Sequence, residues 1–252
     1  MAPTAFSNAK IRWDERGTPH AVDFDDQYFC KDNGYEEGIH VCCHGNALQE
    51  RFSKLDPRVN GTFTVLETGF GTGLDFCCAW ELLDRCAPPS WTLHFVSVEL
   101  FPVSPQDMDR ALGLWPSLSS YKAALLAQYD PALGDISRMS FAAGRVRLTV
   151  VIDDVVKGLE RIRKEQLAGE GADACFLDGF APAKNPRMWL PEVFRGVAAL
   201  SKPGTTFSTF TVAGPVRRGL QACGFTVRKV PGHGKKKQIL TGAFSPGIPA
   251  SF

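Results

Sequence analysis

From residue 61 onward, short runs of apolar, β-branched residues alternate with longer stretches whose apolar positions recur every three or four residues. The short runs predict strands over 63–67, 93–98, 146–152, 174–177, 205–210, 225–230 and 237–241. The longer stretches predict helices near 74–85, 104–113, 117–128, 155–167, 188–200 and 215–222. Such alternation specifies an α/β domain with a largely parallel sheet. The last two strands are separated only by Pro231-Gly232-His233-Gly234 and the lysines after it. No crossover helix fits there, so they pair antiparallel. Residues 11–60 are polar and turn-rich, with Asp23, Asp25, Asp26 and Asp32 before the turn signal Asn33-Gly34. Their short apolar pieces, Tyr28-Phe29 and Ile39 to Cys43, predict a few strands. The chain therefore divides into a small β-rich extension over 1–60, packed on a main domain over 61–252.

The first predicted strand of the main domain leads into Glu67-Thr68-Gly69-Phe70-Gly71-Thr72-Gly73-Leu74, with an apolar helix behind it. Strand, glycine turn and helix bring backbone against the polar part of a nucleotide-like ligand. In the dinucleotide fingerprint G-x-G-x-x-G the third glycine falls at position 74, which here is Leu74. A carboxylate at the strand end repels a pyrophosphate and suits a cationic amino-acid ammonium. S-adenosylmethionine has such a group and NAD has none. The next strand ends in Glu99, placed to accept ribose hydroxyls, and the following one in Asp153-Asp154, placed to accept from an adenine amino group or to cap the helix from Val155. No G-x-x-x-x-G-K-[ST] occurs, which excludes a P-loop.

Composition narrows the class. The 252 residues are 44% hydrophobic, enough for a sizeable core. No run approaches a membrane span, and the N-terminus carries no signal or transit pattern. The eight cysteines include no C-x-x-C and the five histidines show no metal-ligand spacing; both fit a reducing, cytoplasmic setting without a metal site. Net charge is +1, yet all eight basic residues after position 200 stand without a single acid. That segment is +8 against −7 for the rest, a pointer to a polyanionic partner.

A second anchor is Phe176-Leu177-Asp178-Gly179-Phe180-Ala181-Pro182-Ala183-Lys184-Asn185-Pro186. A buried strand delivers Asp178 to the edge of the sheet where ligands bind in open α/β folds. The prolines then stiffen the exit. An acid followed two residues later by an aromatic resembles the Asp-Pro-Pro-aromatic loop of amino-methylating enzymes. An amine attacking a sulfonium methyl must present a lone pair, so a carboxylate orients its N–H bonds and accepts a proton. Phe180 can stack on a flat base or border the sulfonium.

With both anchors read, nearly the whole chain resembles the methyltransferase module of the bacterial tRNA 5-methylaminomethyl-2-thiouridine biosynthesis enzymes. The resemblance is carried by Gly17-Thr18-Pro19, Asp23 to Phe29, Gly45-Asn46, Glu50-Arg51-Phe52, Glu67 to Leu74, Phe176 to Pro186, Thr209-Phe210-Thr211 and Val216 to Leu220. The family's usual Glu-Lys-Phe-Pro is here Glu99-Leu100-Phe101-Pro102, and its Gly-Phe-Gly near the C-terminus is Gly232-His233-Gly234.

The resemblance implies a Rossmann-like class I methyltransferase sheet, mostly parallel with an antiparallel C-terminal hairpin. It implies methyl transfer from S-adenosylmethionine to the 5-aminomethyl group of the wobble uridine. Glu67, Gly69, Gly71 and Gly73, with Phe70, Thr72 and Leu74 among them, then hold the methionine part. Glu99 holds the ribose, Asp154 and Val155 the adenine, and Asp178 with Phe180 the reacting amine. Many family members carry a following flavin-dependent oxidoreductase; no second glycine fingerprint occurs here, so methylation alone is expected, without flavin.

For the tRNA anticodon stem-loop, the candidates are Lys184 and Arg187 beside the reacting loop, Arg217 and Arg218, and Lys235 and Lys236. The two arginines fall in a predicted first helical turn, where positive charge opposes the helix dipole. Tyr28 and Asn46 are candidates to cover the cofactor or base. The competing readings are an N-methyltransferase for a small-molecule amine, which needs no basic surface, and a non-catalytic cofactor-binding protein that docks on RNA.

Overall fold

The computed structural model describes residues 7–29, 33–130, 134–234 and 237–247. Its organising strand is β4 (Gly61–Thr68), where Val65 and Leu66 are both fully buried but serve opposite layers. Val65 joins a core with Phe76, Phe95 and Phe176, and Leu66 joins one with Val96, Val151 and Phe207. Successive side chains of a strand point to opposite faces, so a strand covered on both sides reads as an unbroken apolar run.

Around β4 lie β5 (Trp91–Glu99), β6 (Ile136–Phe141), β7 (Val146–Ile152), β8 (Ala172–Phe176), β9 (Ser201–Thr209), β10 (Phe225–Pro231) and β11 (Gln238–Phe244), in the order β10-β11-β9-β8-β4-β5-β7-β6. β7, β5, β4, β8 and β9 run parallel. The predicted C-terminal hairpin is present, with β11 inserted antiparallel between β9 and β10. The sequence reading missed β6, an edge strand antiparallel to β7. Its burial alternates, with Ser137, Met139 and Phe141 inward and Arg138 and Ser140 outward, so the signal was present as a period of two.

One face of the sheet carries α3 (Leu74–Cys86), α4 (Pro105–Leu112) and α5 (Ser119–Leu126). The other carries α6 (Val155–Lys164), α7 (Pro191–Ala199) and α8 (Gly214–Ala222).

The extension begins with a small antiparallel sheet of β1 (Ile11–Trp13), β2 (Pro19–Ala21) and β3 (Asp26–Gln27). The expected strand at Ile39 to Cys43 is instead helical. α1 (Gly34–Gly38) runs into a π-helical segment, Ile39–His44, followed by α2 (Leu48–Ser53). A five-residue apolar piece cannot be told from a buried helix segment by periodicity alone. Here Val41, Cys42, Cys43, Leu48 and Phe52 join the α3-side core.

Asn46, a candidate cover for the ligand, is corrected by its surroundings. It is completely buried, donates Nδ2–H to the carbonyl of Cys42 (2.9 Å) and accepts from Thr206 Oγ1 (2.7 Å). A buried amide must satisfy its polar atoms inside the fold, and this one ties the extension to the sheet. Asn46→Ala should cost about 1–3 kcal/mol through the partners it orphans. Urea denaturation would measure this, with ligand affinity of the folded fraction unchanged.

Candidate active site

Between β4 and β8 the strand order reverses, and open α/β sheets bind ligands at such a switch point. A cavity of about 330 Å³ lies there. The strand tips supply Glu67, Gly69 to Thr72, Val98 to Phe101, Asp153 to Val155 and Asp178 to Ala181 as its walls. The glycine loop and the reacting loop, far apart in sequence, meet at its floor. Thr68 Oγ1–H donates to the carbonyl of Asp178 (3.0 Å), and a side chain on Gly69 would stand 3.5 Å from that same carbonyl oxygen. Gly69 has φ +98° and Gly71 φ +53°, backbone that glycine adopts without strain. A Cβ on Gly71 would touch the ring of Tyr28 at 3.4 Å, so the extension closes over this turn. Gly73 does not line the cavity; it accepts the left-handed conformation (φ +75°) that starts α3. Phe70, Thr72 and Leu74 are buried and line the inner wall.

Glu67 is almost wholly buried, and its Oε2 accepts from Ser97 Oγ–H at 2.7 Å. Burial first, then the nearby charge of Asp75, raises its carboxyl well above the ordinary range; the Ser97 bond opposes this, and Asp178 and Glu99 add to the rise. Glu99 is half-buried and gathers the loop around it, accepting the N–H groups of Gly71 (2.9 Å) and Phe101 (2.8 Å). Burial raises its proton affinity and those N–H groups lower it. Asp154 caps α6 through Val156 N–H (3.1 Å) and receives Arg187 Nη2 on its other oxygen (2.9 Å). Arg187 thus stands on the cavity rim, with its side chain 74% exposed. Val155 lines the wall beside them.

Phe180 is hemmed in. Phe24 stacks on it with centroids 4.8 Å apart at 28°, and Tyr28 meets it edge-on at 5.2 Å. Part of the ring surface expected to stack on a base is therefore occupied by the extension. Burial raises the Tyr28 hydroxyl above its ordinary range, with a smaller contribution from Glu99.

The cavity thus brings together Asp178, Phe180, the residues from Glu67 to Leu74 except Thr68 and Gly73, Glu99, Asp154, Val155, Tyr28 and Arg187. Lys184 lies outside it, in an exposed ion pair with Asp25 at 2.5 Å. Arg217 and Arg218 are exposed on the first turn of α8. Lys235 and Lys236 lie outside the described residues.

Sequence reasoning missed the wall supplied by the extension: Gly34, Glu37, Gly38, Val41 and Cys42, one helical face aimed into the cavity. The five positions follow the helical spacing i, i+3, i+4, i+7, i+8, but only Val41 and Cys42 are apolar, so no hydrophobic period marks the face. Asp75 of α3 was missed as well. Its Oδ2 accepts from Cys42 Sγ–H (2.9 Å), while its Oδ1 would lie 2.7 Å from a Cβ on Gly38.

The donor set fits a cationic, adenosine-bearing ligand: carboxylates at three strand tips, a glycine cradle, and a buried acid whose raised proton affinity a positive partner would lower. Among the described residues, no group of three or more His, Cys, Asp or Glu is placed to hold a metal ion, and no helix is long and apolar enough to cross a membrane.

The family described as S-adenosyl-L-methionine-dependent methyltransferase matches residues 116–245. A protein of Methylobacillus flagellatus named tRNA 5-methylaminomethyl-2-thiouridine biosynthesis bifunctional protein MnmC is 47% identical over 245 residues, covering 97% of this chain and 36% of its own length. The protein of the same name from Pseudomonas syringae pv. tomato is 50% identical over 241 residues, covering 96% and 35%. The chain thus spans about a third of the length of these curated relatives. Among solved structures, MNMC2 from Aquifex aeolicus shares the fold with a TM-score of 0.71 at 19% identity, over 99% of this chain and 75% of that one.

Proposed function

The chain belongs to the S-adenosyl-L-methionine-dependent methyltransferase family, and from that premise we propose that it methylates the 5-aminomethyl group of the wobble uridine of tRNA, converting 5-aminomethyl-2-thiouridine to its 5-methylaminomethyl form. The observation that carries this reading is the meeting of the Asp178 loop with the glycine loop at one cavity floor. The names of the curated relatives support the tRNA acceptor.

S-adenosylmethionine, when bound, supplies an electrophilic methyl group on a sulfonium sulfur. Glu67 receives the methionine ammonium, and Gly69 and Gly71 let the backbone lie against the ligand. Glu99 accepts the ribose hydroxyls with the lone pairs its backbone bonds leave over. Asp154 and Val155 border the adenine, with Arg187 holding Asp154 in place. Asp178 orients the acceptor nitrogen and takes its proton. Phe180, steadied by Phe24 and Tyr28, borders the reacting groups and excludes water. The longer relatives are bifunctional by name; in this reading the chain is the methyl-transfer part of such a protein, and a flavin-dependent oxidoreductase module would be its partner in a longer parent. Its tRNA substrate puts the reaction in the cytoplasm.

The basic C-terminal region supplies the electrostatic footprint. α8 begins at the same sheet edge as the cavity, because it follows the C-terminal end of β9, and Arg217 and Arg218 are exposed on its first turn. β11 begins at that edge too, with exposed Lys237 before it. Lys184 can exchange its exposed partner for a phosphate at little cost.

The affinity for tRNA should fall as salt rises, with a log–log slope of about −0.7 to −0.9 per phosphate contact. Arg217→Glu with Arg218→Glu should weaken binding about tenfold or more and flatten that slope. A salt-independent affinity would overturn the RNA reading. The deciding experiment is nucleoside mass spectrometry of tRNA bearing 5-aminomethyl-2-thiouridine after incubation with the chain and S-adenosylmethionine. A product heavier by one methyl group on the aminomethyl nitrogen supports the proposal; an unchanged nucleoside overturns it.

A further inference from the structure

We infer that Asp26 is a positioning residue for methyl transfer, fixing the Asp178–Phe180 loop through the Ala181 N–H; this rests on the amine-methylation reading of the site. The loop turns at Gly179 (φ +137°) and is stiffened only beyond Ala181, by Pro182 and Pro186. Three backbone groups fix the piece between. Thr68 holds the Asp178 carbonyl from β4, Trp189 Nε1–H donates to the Phe180 carbonyl (2.9 Å), and Asp26 Oδ2 accepts Ala181 N–H (2.9 Å). The first two are made within the main domain. The third comes from the extension, 155 residues away in sequence.

Asp26 is itself fixed, because its other oxygen accepts Gln27 N–H at 2.9 Å, and it lines the cavity beside Ala181. Phe24, two residues before it, stacks on Phe180, so ring and carboxylate act on adjacent residues of the loop. A hydrogen bond to an ionised acceptor is stronger and more directional than a neutral one, which suits a contact that must hold a loop in register.

Asp26 is not what holds the extension to the domain. Trp13 Nε1–H donates to Asp107 (2.8 Å), Arg110 lies over the Trp13 ring at 4.1 Å, and Ala9 N–H reaches the Pro102 carbonyl (2.9 Å). These anchors stay when Asp26 is replaced. Its loss therefore frees the reacting loop, where small displacements of a positioned group are costly in rate.

Asp26→Ala is expected to lower kcat for tRNA methylation roughly 10- to 100-fold while leaving the Kd for S-adenosylmethionine and the melting temperature near wild type. Asp26→Asn, whose amide oxygen still accepts the N–H, should recover most of the rate. Asp23→Asn, which removes only the exposed Lys10 pair in the same turn, should leave it unchanged. Amide hydrogen exchange at Ala181 should accelerate in Asp26→Ala and not in Asp26→Asn. An unchanged kcat in Asp26→Ala overturns the inference, as does a rate loss matched by parallel losses of cofactor affinity and melting temperature. If the wild-type chain does not methylate tRNA, the amine-methylation reading fails instead. In that event unchanged exchange at Ala181 still overturns the loop-fixing role, and accelerated exchange supports it.

Discussion

Asp178→Ala should abolish measurable methyl transfer, lowering the rate about 10²- to 10⁴-fold, the range general acid–base groups contribute, while S-adenosylmethionine binds within a few-fold of its wild-type affinity. The residue stands where β8 leaves the sheet, and its own carbonyl is held by Thr68, so the backbone at the cavity floor keeps this bond when the side chain is removed. Two opposing effects act on an acceptor amine beside it. A carboxylate nearby favours the ammonium, which has no lone pair to attack with; burial favours the neutral amine. In the proposed reaction the carboxylate resolves the conflict by taking the proton as the amine aligns. Asp178→Asn keeps size and hydrogen bonding but not the negative charge. It should therefore fall between the wild type and Asp178→Ala, and gain rate as pH rises and the amine deprotonates in solution. Single-turnover assays by nucleoside mass spectrometry and calorimetric titration of the cofactor separate the two quantities. Unimpaired methylation in Asp178→Ala would remove Asp178 from the chemistry.

The parallel sheet was legible because strands such as β4, buried from Phe63 onward, have no solvent-facing side to break their pattern, and the glycine turn after it is locally encoded. The C-terminal hairpin was legible from chain length alone, since four residues and three lysines leave no room for a crossover. Three things were hidden, each for a physical reason. β6 is short and pairs through a turn in which Ala142, Ala143 and Gly144 all have positive φ, a conformation the two alanines do not advertise. The helical wall of the cavity at Gly34–Cys42 buries an apolar piece too short to declare its period.

Polar partners were the third. Nothing near Asn46 in sequence announces Thr206, nothing near Lys184 announces Asp25, and nothing near Asp154 announces Arg187. Acids at strand tips can be placed on the right edge from sequence; whether each oxygen faces ligand or protein is decided by side chains arriving from elsewhere in the fold. Glu99 and Asp154 show this most plainly, since each already accepts bonds from the protein on both of its oxygens.

Glu67→Gln should lower the affinity for S-adenosylmethionine about 100-fold or more while making the ligand-free chain no less stable at neutral or alkaline pH. The two effects have one origin. Unfolded, the Glu67 carboxyl loses its proton near its ordinary value of about 4.3. Folded, burial and the charge of Asp75 hold the proton to higher pH. Between those two values the native state binds more protons than the unfolded state. Stability from this group is thus greatest below the ordinary value and declines as pH rises toward the folded one, by up to about 1.4 kcal/mol per pH unit.

Glutamine has no proton to lose and can still accept the Ser97 hydroxyl through its amide oxygen, so the decline should flatten in thermal melts run from pH 5 to 9. An ammonium beside the carboxyl reverses the preference and draws the proton off. Wild-type affinity for the cofactor should therefore rise with pH, by at most about tenfold per unit, with proton release on binding. Glu67→Gln removes one partner of that buried pair, a loss of about 3–5 kcal/mol where charges are well desolvated. Its weaker binding should show neither the pH slope nor the proton release from this site. Calorimetry in buffers of different ionisation enthalpy measures both, and a Glu67→Gln chain that binds with wild-type affinity and pH dependence would rule out an ammonium at Glu67.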